Sequence, residues 1–424
     1  MGLTSLKTDI LAKQNPVLCP APFSSISVRM DDRLASDKVD SVYSCCCNLK
    51  PQSSHHDLNT LKQNIINGVK SDACERCYTH EKNSGYSERM RLLGALDPDN
   101  FEQFTNTYTV NHKEVYIKLS NRCPLACRSC QESDSSTFAK ITNKQHLIPL
   151  AVSTDITEQD EYQNIKQLLE QVYHEAEYPV VHLTGGEVLV HNGAVEILKW
   201  LSDQGLSNKF TVRFTTALSV PVPRRLVDTF KWFRHIHFNI SIDSVGTNYQ
   251  YVRWPAKFSK IENNLEQLEQ VKTLCNGFSS SIVPVWTINN IMYLEEFLDY
   301  FEHTESWIAP IQVIWPEYLT PEILPQPYRM QVQQKVEQCL PHKIFNDAKH
   351  TIFLDFLTTL NEKLCSQQGQ NSELFERYLK HSAEYDSKTN LHMSEYNSSF
   401  YNILVEEDKN TLAKHYESLV CERR

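Results

Sequence analysis

Cys123, Cys127 and Cys130 stand in the run Leu119-Ser-Asn-Arg-Cys-Pro-Leu-Ala-Cys-Arg-Ser-Cys130, three thiols spaced C-x3-C-x2-C on one short segment. A structural zinc ion takes four ligands, usually as two separated pairs, and no fourth cysteine or histidine stands near this run. Three thiolates on one loop suit a cubane iron–sulfur cluster that leaves one iron without a protein ligand. The preceding Val115-Tyr-Ile-Lys-Leu119 reads as a short strand, which puts the thiols at its C-terminal end. A β/α barrel keeps its chemistry at that end of its strands.

The segments that must position such a loop follow in order. Val180-Val-His-Leu-Thr-Gly-Gly-Glu187 is an apolar strand ending in two glycines and a carboxylate. Gly185 and Gly186 let the backbone approach a ligand closely, and Glu187 can accept from an ammonium group. Phe210–Thr216 alternates like a half-buried strand. His235–Asp243 is another, ending in Ser241 and Asp243, and Ser281–Thr287 is the next. Each has an ordinary reading alone: a strand-to-helix turn for the glycine pair, a helix-start carboxylate for Glu187, an N-cap for Asp243, and buried small hydrophobes for the cysteines.

Taken together, in this order and spacing, these segments resemble the radical S-adenosylmethionine (radical SAM) superfamily. The resemblance implies a [4Fe-4S] cluster on Cys123, Cys127 and Cys130, whose open iron binds the amino and carboxylate groups of S-adenosylmethionine. It implies that Gly185, Gly186 and Glu187 hold the methionine amino group and that Ser241 and Asp243 contact the ribose region. Thr216 and Arg253 are carried over as further cofactor-binding positions. One electron, from a donor such as flavodoxin or ferredoxin, would then yield methionine and a 5′-deoxyadenosyl radical that takes a hydrogen atom from the substrate. One departure stands out: the family often places an aromatic residue before the last cysteine, and here that residue is Ser129.

A second group of cysteines precedes the first. Cys19 opens Cys-Pro-Ala-Pro-Phe23, Cys45, Cys46 and Cys47 form a run, and Cys74 and Cys77 close a C-x2-C that continues into Glu81, Gly85, Ser87 and Arg89. This pattern resembles the twitch-type auxiliary-cluster module, a shortened relative of the SPASM domain. The resemblance implies a second iron–sulfur cluster on Cys19, Cys46, Cys74 and Cys77, with Cys45 and Cys47 as alternatives to Cys46. In many relatives the module follows the barrel, whereas here it precedes it. Four such thiols would equally make a structural zinc site, because identical ligands do not separate zinc from iron. Cys275, Cys339, Cys365 and Cys421 stand singly and read as incidental thiols.

The 424 residues, 41% hydrophobic and 22% charged, can bury a large core in two or three modules. A formal net charge of −10 argues against general nucleic-acid binding. No stretch is apolar and long enough for a membrane. Met1–Leu6 has neither a signal-peptide core nor a myristoylation pattern. Reduced thiols then point to the cytoplasm, where disulfides are not expected.

Residues 111–315 alternate strand and helix patterns, with strands starting near 115, 180, 210, 235, 281 and 311. That is an α/β chain: a partial (β/α)6 TIM-like barrel. It follows a cysteine-rich auxiliary-cluster module over 1–110 and precedes a helical C-terminal segment over 316–424. Gln131–Gln145, polar and rich in Ser and Thr, reads as a mobile loop. By analogy with twitch and SPASM relatives the substrate is a peptide or protein side chain, crosslinked, cleaved or epimerised. A small molecule such as a sugar or amino-acid derivative is the alternative. A zinc-binding interaction protein is the reading from a different class, and it would not need Gly185, Gly186, Glu187, Ser241 or Asp243.

Overall fold

The computed structural model describes residues 15–29, 42–43, 45, 55–84, 87–96, 98–110, 112–143, 160–313, 315–366, 369–407, 414, 416–418 and 420. Its frame is a parallel sheet whose strands have one apolar and one polar face. In β3 (His112–Lys118), β4 (Tyr178–Thr184), β5 (Thr211–Thr216) and β6 (His235–Ile240), Val115, Ile117, Val181, Leu183, Val212, Phe214, Ile236, Phe238 and Ile240 are buried in one core. Alternation sends every second side chain to the same face. The helices Asp160–Glu175, Asn192–Asp203, Arg224–Phe230 and Phe258–Lys272 contribute buried side chains to that core. Phe214 stacks on Phe238 at 5.0 Å between centroids. Each such ring contributes about 1.5–3 kcal/mol by leaving water.

The sheet continues through β7 (Phe278–Ile282) to β9 (Trp307–Ile308), all parallel. A short β8 (Val285–Trp286) pairs instead with β10 (Ile311–Gln312) in a separate parallel ladder. The strand expected at Ser281–Thr287 is thus divided, and Pro284, which has no backbone donor, stands at the break. The strand expected near 311 belongs to the side ladder, and β9 takes its place in the main sheet.

The cysteine-rich region is not set apart from this sheet. β1 (Ser25–Arg29) pairs parallel with β3 over its whole length, and β2 (Val42–Tyr43) adds antiparallel at the edge. The main sheet therefore has seven parallel strands, in the order β1-β3-β4-β5-β6-β7-β9; β3 to β7 are five of the six legible in the sequence, and β1 and β9 are additional. The recorded pairing does not close it into a full barrel.

Gln131–Gln145 departs from the loop expected there. Ser136–Ile141 is helical, because the Ser135 hydroxyl caps Phe138 N at 3.0 Å and Phe138 and Ala139 are buried. Residues 144 and 145 lie outside the described residues. The C-terminal segment is helical as expected, with helices Gln326–Cys339, Thr351–Cys365, Ser372–Thr389 and Ser398–Glu407. It is tied to the sheet region by Tyr378 Oη donating to Asn289 Oδ1 at 3.0 Å and by Asn248 Nδ2 donating to Tyr396 O at 2.9 Å. No helix among the described residues is long and apolar enough to cross a membrane.

Candidate active site

The three thiols at 123, 127 and 130 gather at the C-terminal end of β3. Backbone bonds on several sides fix their loop: Glu187 N donates to Arg122 O (3.0 Å), Ala126 N to Trp254 O (2.7 Å), Arg128 N to Val252 O (2.9 Å) and Ser136 N to Asn121 O (2.8 Å). Cys130 N donates to Cys127 O at 3.0 Å and closes a tight turn. Ser136 Oγ accepts from Cys123 N at 3.2 Å, and Thr137 Oγ1 donates to Cys123 O at 2.6 Å. Cys123 and Cys127 are buried and Cys130 is half-buried.

The glycine pair does something the sequence did not disclose. Gly185 has φ +100° and Gly186 φ +50°, both in the region that favours glycine. A Cβ on Gly185 would stand 2.6 Å from Ser120 O, and one on Gly186 would stand 2.2 Å from Arg122 O. What the bare backbone approaches is the cysteine loop itself. Glu187, next in sequence, is wholly buried. Its Oε1 accepts from Thr216 Oγ1 (2.5 Å) and Leu189 N (3.2 Å), and its Oε2 from Ala217 N (3.2 Å) and Ser219 Oγ (3.1 Å). A carboxylate offers about four lone-pair sites, so protein donors already fill this one. Burial nonetheless pushes its pKa above the ordinary glutamate value, the hydrogen bonds opposing the shift. Glu187 and Thr216 thus fasten the end of β4 to the end of β5.

Arg253 and Asp243 form the charged side of the site. Arg253 Nε pairs with Asp243 Oδ2 at 2.8 Å, and another guanidinium nitrogen reaches Cys127 Sγ at 3.7 Å. Asp243 Oδ1 accepts from Val285 N at 2.9 Å. Ser241, half-buried, follows β6, its N donating to Thr216 O at 2.8 Å. The structure therefore brings Cys123, Cys127, Gly185, Gly186, Glu187, Thr216, Asp243 and Arg253 into one contiguous set. A hydrogen bond from Cys130 and the charge of Arg253 hold the Cys127 thiol below its ordinary pKa. Burial pushes Cys123 up to about 12, and the hydrogen bond to Cys127, then burial, pushes Cys130 up. A coordinating metal deprotonates a bound thiol outright. Leu125 N donates to Cys123 Sγ at 3.4 Å, a contact of the kind that tunes cluster potentials.

Cys19, Cys45, Cys74 and Cys77 line a second, small cavity together with Ala21, Pro22, Ala73, Glu88, Arg89 and Leu92. Cys46 and Cys47 lie outside the described residues, and the described member of the run facing the other three is Cys45. Glu81, Ser87 and Arg89 also meet as a unit. Arg89 pairs with Glu81, donates to Leu18 O at 3.0 Å, and Ser87 donates to the same carboxylate. Gly85 lies outside the described residues. Among the described residues, the only three metal-ligating side chains with donor atoms mutually within 4.8 Å are Asp299, Glu302 and His342. Neither cysteine set is drawn in that close.

Sequence reasoning missed the polar face of the sheet. Register places Tyr116, His182, Arg213, His237 and Ser279 in one row across five strands. His182 bridges Glu114 (2.6 Å) and Thr215 (2.8 Å), Arg213 donates to Glu114 at 3.1 Å, and His237 bonds Ser279 (2.7 Å) and Asn239 (2.9 Å). The signal was present in the every-second polar residues of Thr211-Val-Arg-Phe-Thr215 and His235-Ile-His-Phe-Asn239. A filled β/α barrel carries bulky branched side chains there.

Burial, then Arg213, lowers the His237 pKa to about 4, with His235 and His182 opposing its charge and Asn239 favouring it. A depressed folded pKa contributes stability above about pH 6.5 that is lost as pH falls toward 4. The melting temperature is expected to drop across that window, and less steeply in His237→Asn. An unchanged slope in thermal melts of that variant would refute the assignment. His191 and His381, also lowered to about 4, keep part of the slope in any case.

Residues 117–306, just under half of the chain, match the family model described as the Radical SAM superfamily. Similar solved structures include native anSMEcpe with bound AdoMet and Cp18Cys peptide (16% identity, TM-score 0.40, covering 56% of this chain and 62% of that one). Another is the same protein with Kp18Cys peptide (16%, TM-score 0.41, 56% and 62%). A third is Streptococcus suis SuiB bound to S-adenosylmethionine (10%, TM-score 0.37, 67% and 57%). The chain thus spans about three fifths of the length of the anSMEcpe chains. No curated protein matches it. With the thiol loop, the glycine pair and the buried carboxylates on one end of its parallel sheet, the chain carries a radical SAM domain over residues 117–306 and is an enzyme.

Proposed function

We propose that this enzyme cleaves S-adenosylmethionine reductively and directs the resulting 5′-deoxyadenosyl radical at a hydrogen atom of a peptide or protein side chain. The carrying observation is the convergence of Cys123, Cys127 and Cys130 on one loop beside the Arg253–Asp243 pair, within the matched domain. Their three-thiol donor set fits a [4Fe-4S] cluster, which when bound supplies the single electron for carbon–sulfur cleavage. The protein contributes binding, orientation and exclusion of water. Arg253 balances the negative charge of the thiolates, Gly185 and Gly186 bring β4 against the loop, and Glu187 with Thr216 and Ser219 holds the neighbouring strand ends in register. Ser241 and the Asp243–Arg253 pair face the cofactor on this reading, and Gly185, Gly186, Glu187 and Thr216 support it by holding the loop and strand ends in place.

A second iron–sulfur cluster sits on Cys19, Cys45, Cys74 and Cys77, with Arg89 as its buried counter-charge. Four thiols in one small cavity, in a chain that carries a second three-thiol loop, support this over zinc. The peptide substrate follows from the twitch-like pattern from Cys19 to Arg89, and the hydrogen-bonding face around His182, Arg213 and His237 suits a polar one. An electron donor such as flavodoxin or ferredoxin completes the scheme.

The test is iron, acid-labile sulfide and zinc per chain after anaerobic reconstitution, with 5′-deoxyadenosine measured in the same sample. About eight irons and eight sulfides are expected. Cys45→Ala is expected to reduce this to about four irons while substrate-independent cofactor cleavage continues, and Cys46→Ala to leave about eight. Zinc without iron overturns the proposal.

A further inference from the structure

We infer that the helix Ser372–Thr389 is part of the machinery holding the cysteine loop, gripping it through a buried Arg128–Asp386 ion pair and the Tyr385 hydroxyl. The inference rests on the reading of that loop as cluster-bearing.

Arg128 lies inside the Cys127–Cys130 turn, yet its side chain is only 2% exposed. An arginine on a short loop would ordinarily reach solvent, because desolvating its charge is costly unless it is paired. Here the guanidinium carbon lies 3.5 Å from the ring centroid of Tyr251 and 4.2 Å from that of Tyr385. Its Nε donates to Tyr251 O at 2.8 Å, and its terminal nitrogen pairs with Asp386, whose side chain is fully buried. Asp386 also accepts from Tyr416 Oη and from Tyr251 Oη, the latter at 3.4 Å. Tyr385 Oη donates to Ala126 O.

The loop is therefore held from two directions. Residues 252 and 254 bind the backbones of Arg128 and Ala126, and residues 385 and 386, more than 250 positions away in sequence, bind the same two residues. The segment on the first side also carries Arg253, which reaches Cys127 Sγ. Tyr385 packs with Ala126 and Phe138, with Cys130 and Trp254 against them. An aromatic surface thus stands by the last cysteine although the loop itself carries Ser129. A plain cover on the sheet would need apolar contact alone; this helix adds a charge pair directed at the residue between two thiols.

Charge gives the readout. Arg128 and Asp386 together are neutral, and a reduced cluster carries one more negative charge than an oxidised one. Removing the carboxylate leaves an unpaired positive charge beside the loop and favours reduction. Arg128, Tyr385 and Asp386 are positioning residues on this account, and none needs to touch substrate.

The experiment uses the full chain, anaerobically reconstituted, with the midpoint potential read by EPR for the cluster whose signal changes on adding S-adenosylmethionine. Asp386→Asn is expected to shift that midpoint to a more positive value, and Asp386→Glu to return it toward the wild-type value. Tyr385→Phe keeps the ring but loses the bond to Ala126, and is expected to keep the midpoint, alter the signal and slow uncoupled cofactor cleavage several-fold. A folded Asp386→Asn protein with the wild-type midpoint overturns the inference. Should Asp386→Asn not fold, Tyr385→Phe decides alone, and a wild-type signal and cleavage rate overturn it. A wild-type chain that takes up no iron overturns the reading of the loop, a result distinct from either.

Discussion

Cys127→Ala is expected to abolish cleavage of S-adenosylmethionine, with no 5′-deoxyadenosine formed, while the chain stays folded. Cys127 is 4% exposed and its side chain is small, so alanine leaves a modest cavity and costs on the order of 1 kcal/mol. Its sulfur is the one of the three whose pKa is lowered, by the hydrogen bond from Cys130 and then by the Arg253 guanidinium at 3.7 Å. With it gone the loop keeps only the Cys123 and Cys130 thiols, and Arg253 keeps its 2.8 Å pair with Asp243. The structural effect stays small while the site loses a ligand. Iron should fall from about eight to about four per chain, since the cavity of Cys19, Cys45, Cys74 and Cys77 is untouched. The paired measurement is iron content and 5′-deoxyadenosine formation with a thermal melt of the same sample. Retained cleavage in a folded variant would remove Cys127 from the site.

The features legible in the sequence were those encoded by neighbours a few residues apart. The C-x3-C-x2-C loop, the strand before it and the Gly-Gly-Glu turn need only local spacing, and β3 through β7 all begin within a few residues of their expected positions. The unit of Glu81, Ser87 and Arg89 was visible for the same reason. Choosing among Cys45, Cys46 and Cys47 was not possible, because three adjacent thiols share nearly the same spacing to Cys19, Cys74 and Cys77; Cys45 lies with those three, and Cys46 and Cys47 lie outside the described residues. β1 was hidden because Ser25–Arg29 is short, and its partner β3 lies some ninety positions on. Asp386 looked like one more polar residue in an aromatic helix. Its function depends on Arg128, and nothing local links the two. The helix at Ser136–Ile141 was missed because its polar composition outweighed the Ser135 cap and the buried Phe138.

Glycine in the β4 exit turn marks the same limit, and it yields the sharpest structural test. Gly186→Ala is expected to lose cofactor cleavage and the iron of the Cys123–Cys130 loop, with a stability loss of a few kcal/mol. At φ +50° an alanine Cβ would stand 2.2 Å from Arg122 O, 2.7 Å from Arg122 C and 2.9 Å from Asn121 C. Every one of these is a backbone atom, so no side chain can swing aside. The left-handed conformation alone costs roughly 1–2 kcal/mol for an L-residue, and overpacking a tight site typically adds about 1–3 kcal/mol. Relief requires residues 121–122 to move away from the turn, which breaks the 3.0 Å bond from Glu187 N to Arg122 O and displaces Cys123. Gly205→Ala is the matched control. Its φ of +72° carries a similar backbone cost, but nothing lies within 4 Å of its added Cβ. It should lose about 1 kcal/mol and keep full iron and full cleavage. Denaturant unfolding and iron analysis of the two variants separate the clash from the conformation. If Gly186→Ala behaves like Gly205→Ala, the glycine serves only its own turn. If it alone empties the loop of iron, the close approach of β4 to the cysteine backbone is what sets the cluster ligands in place.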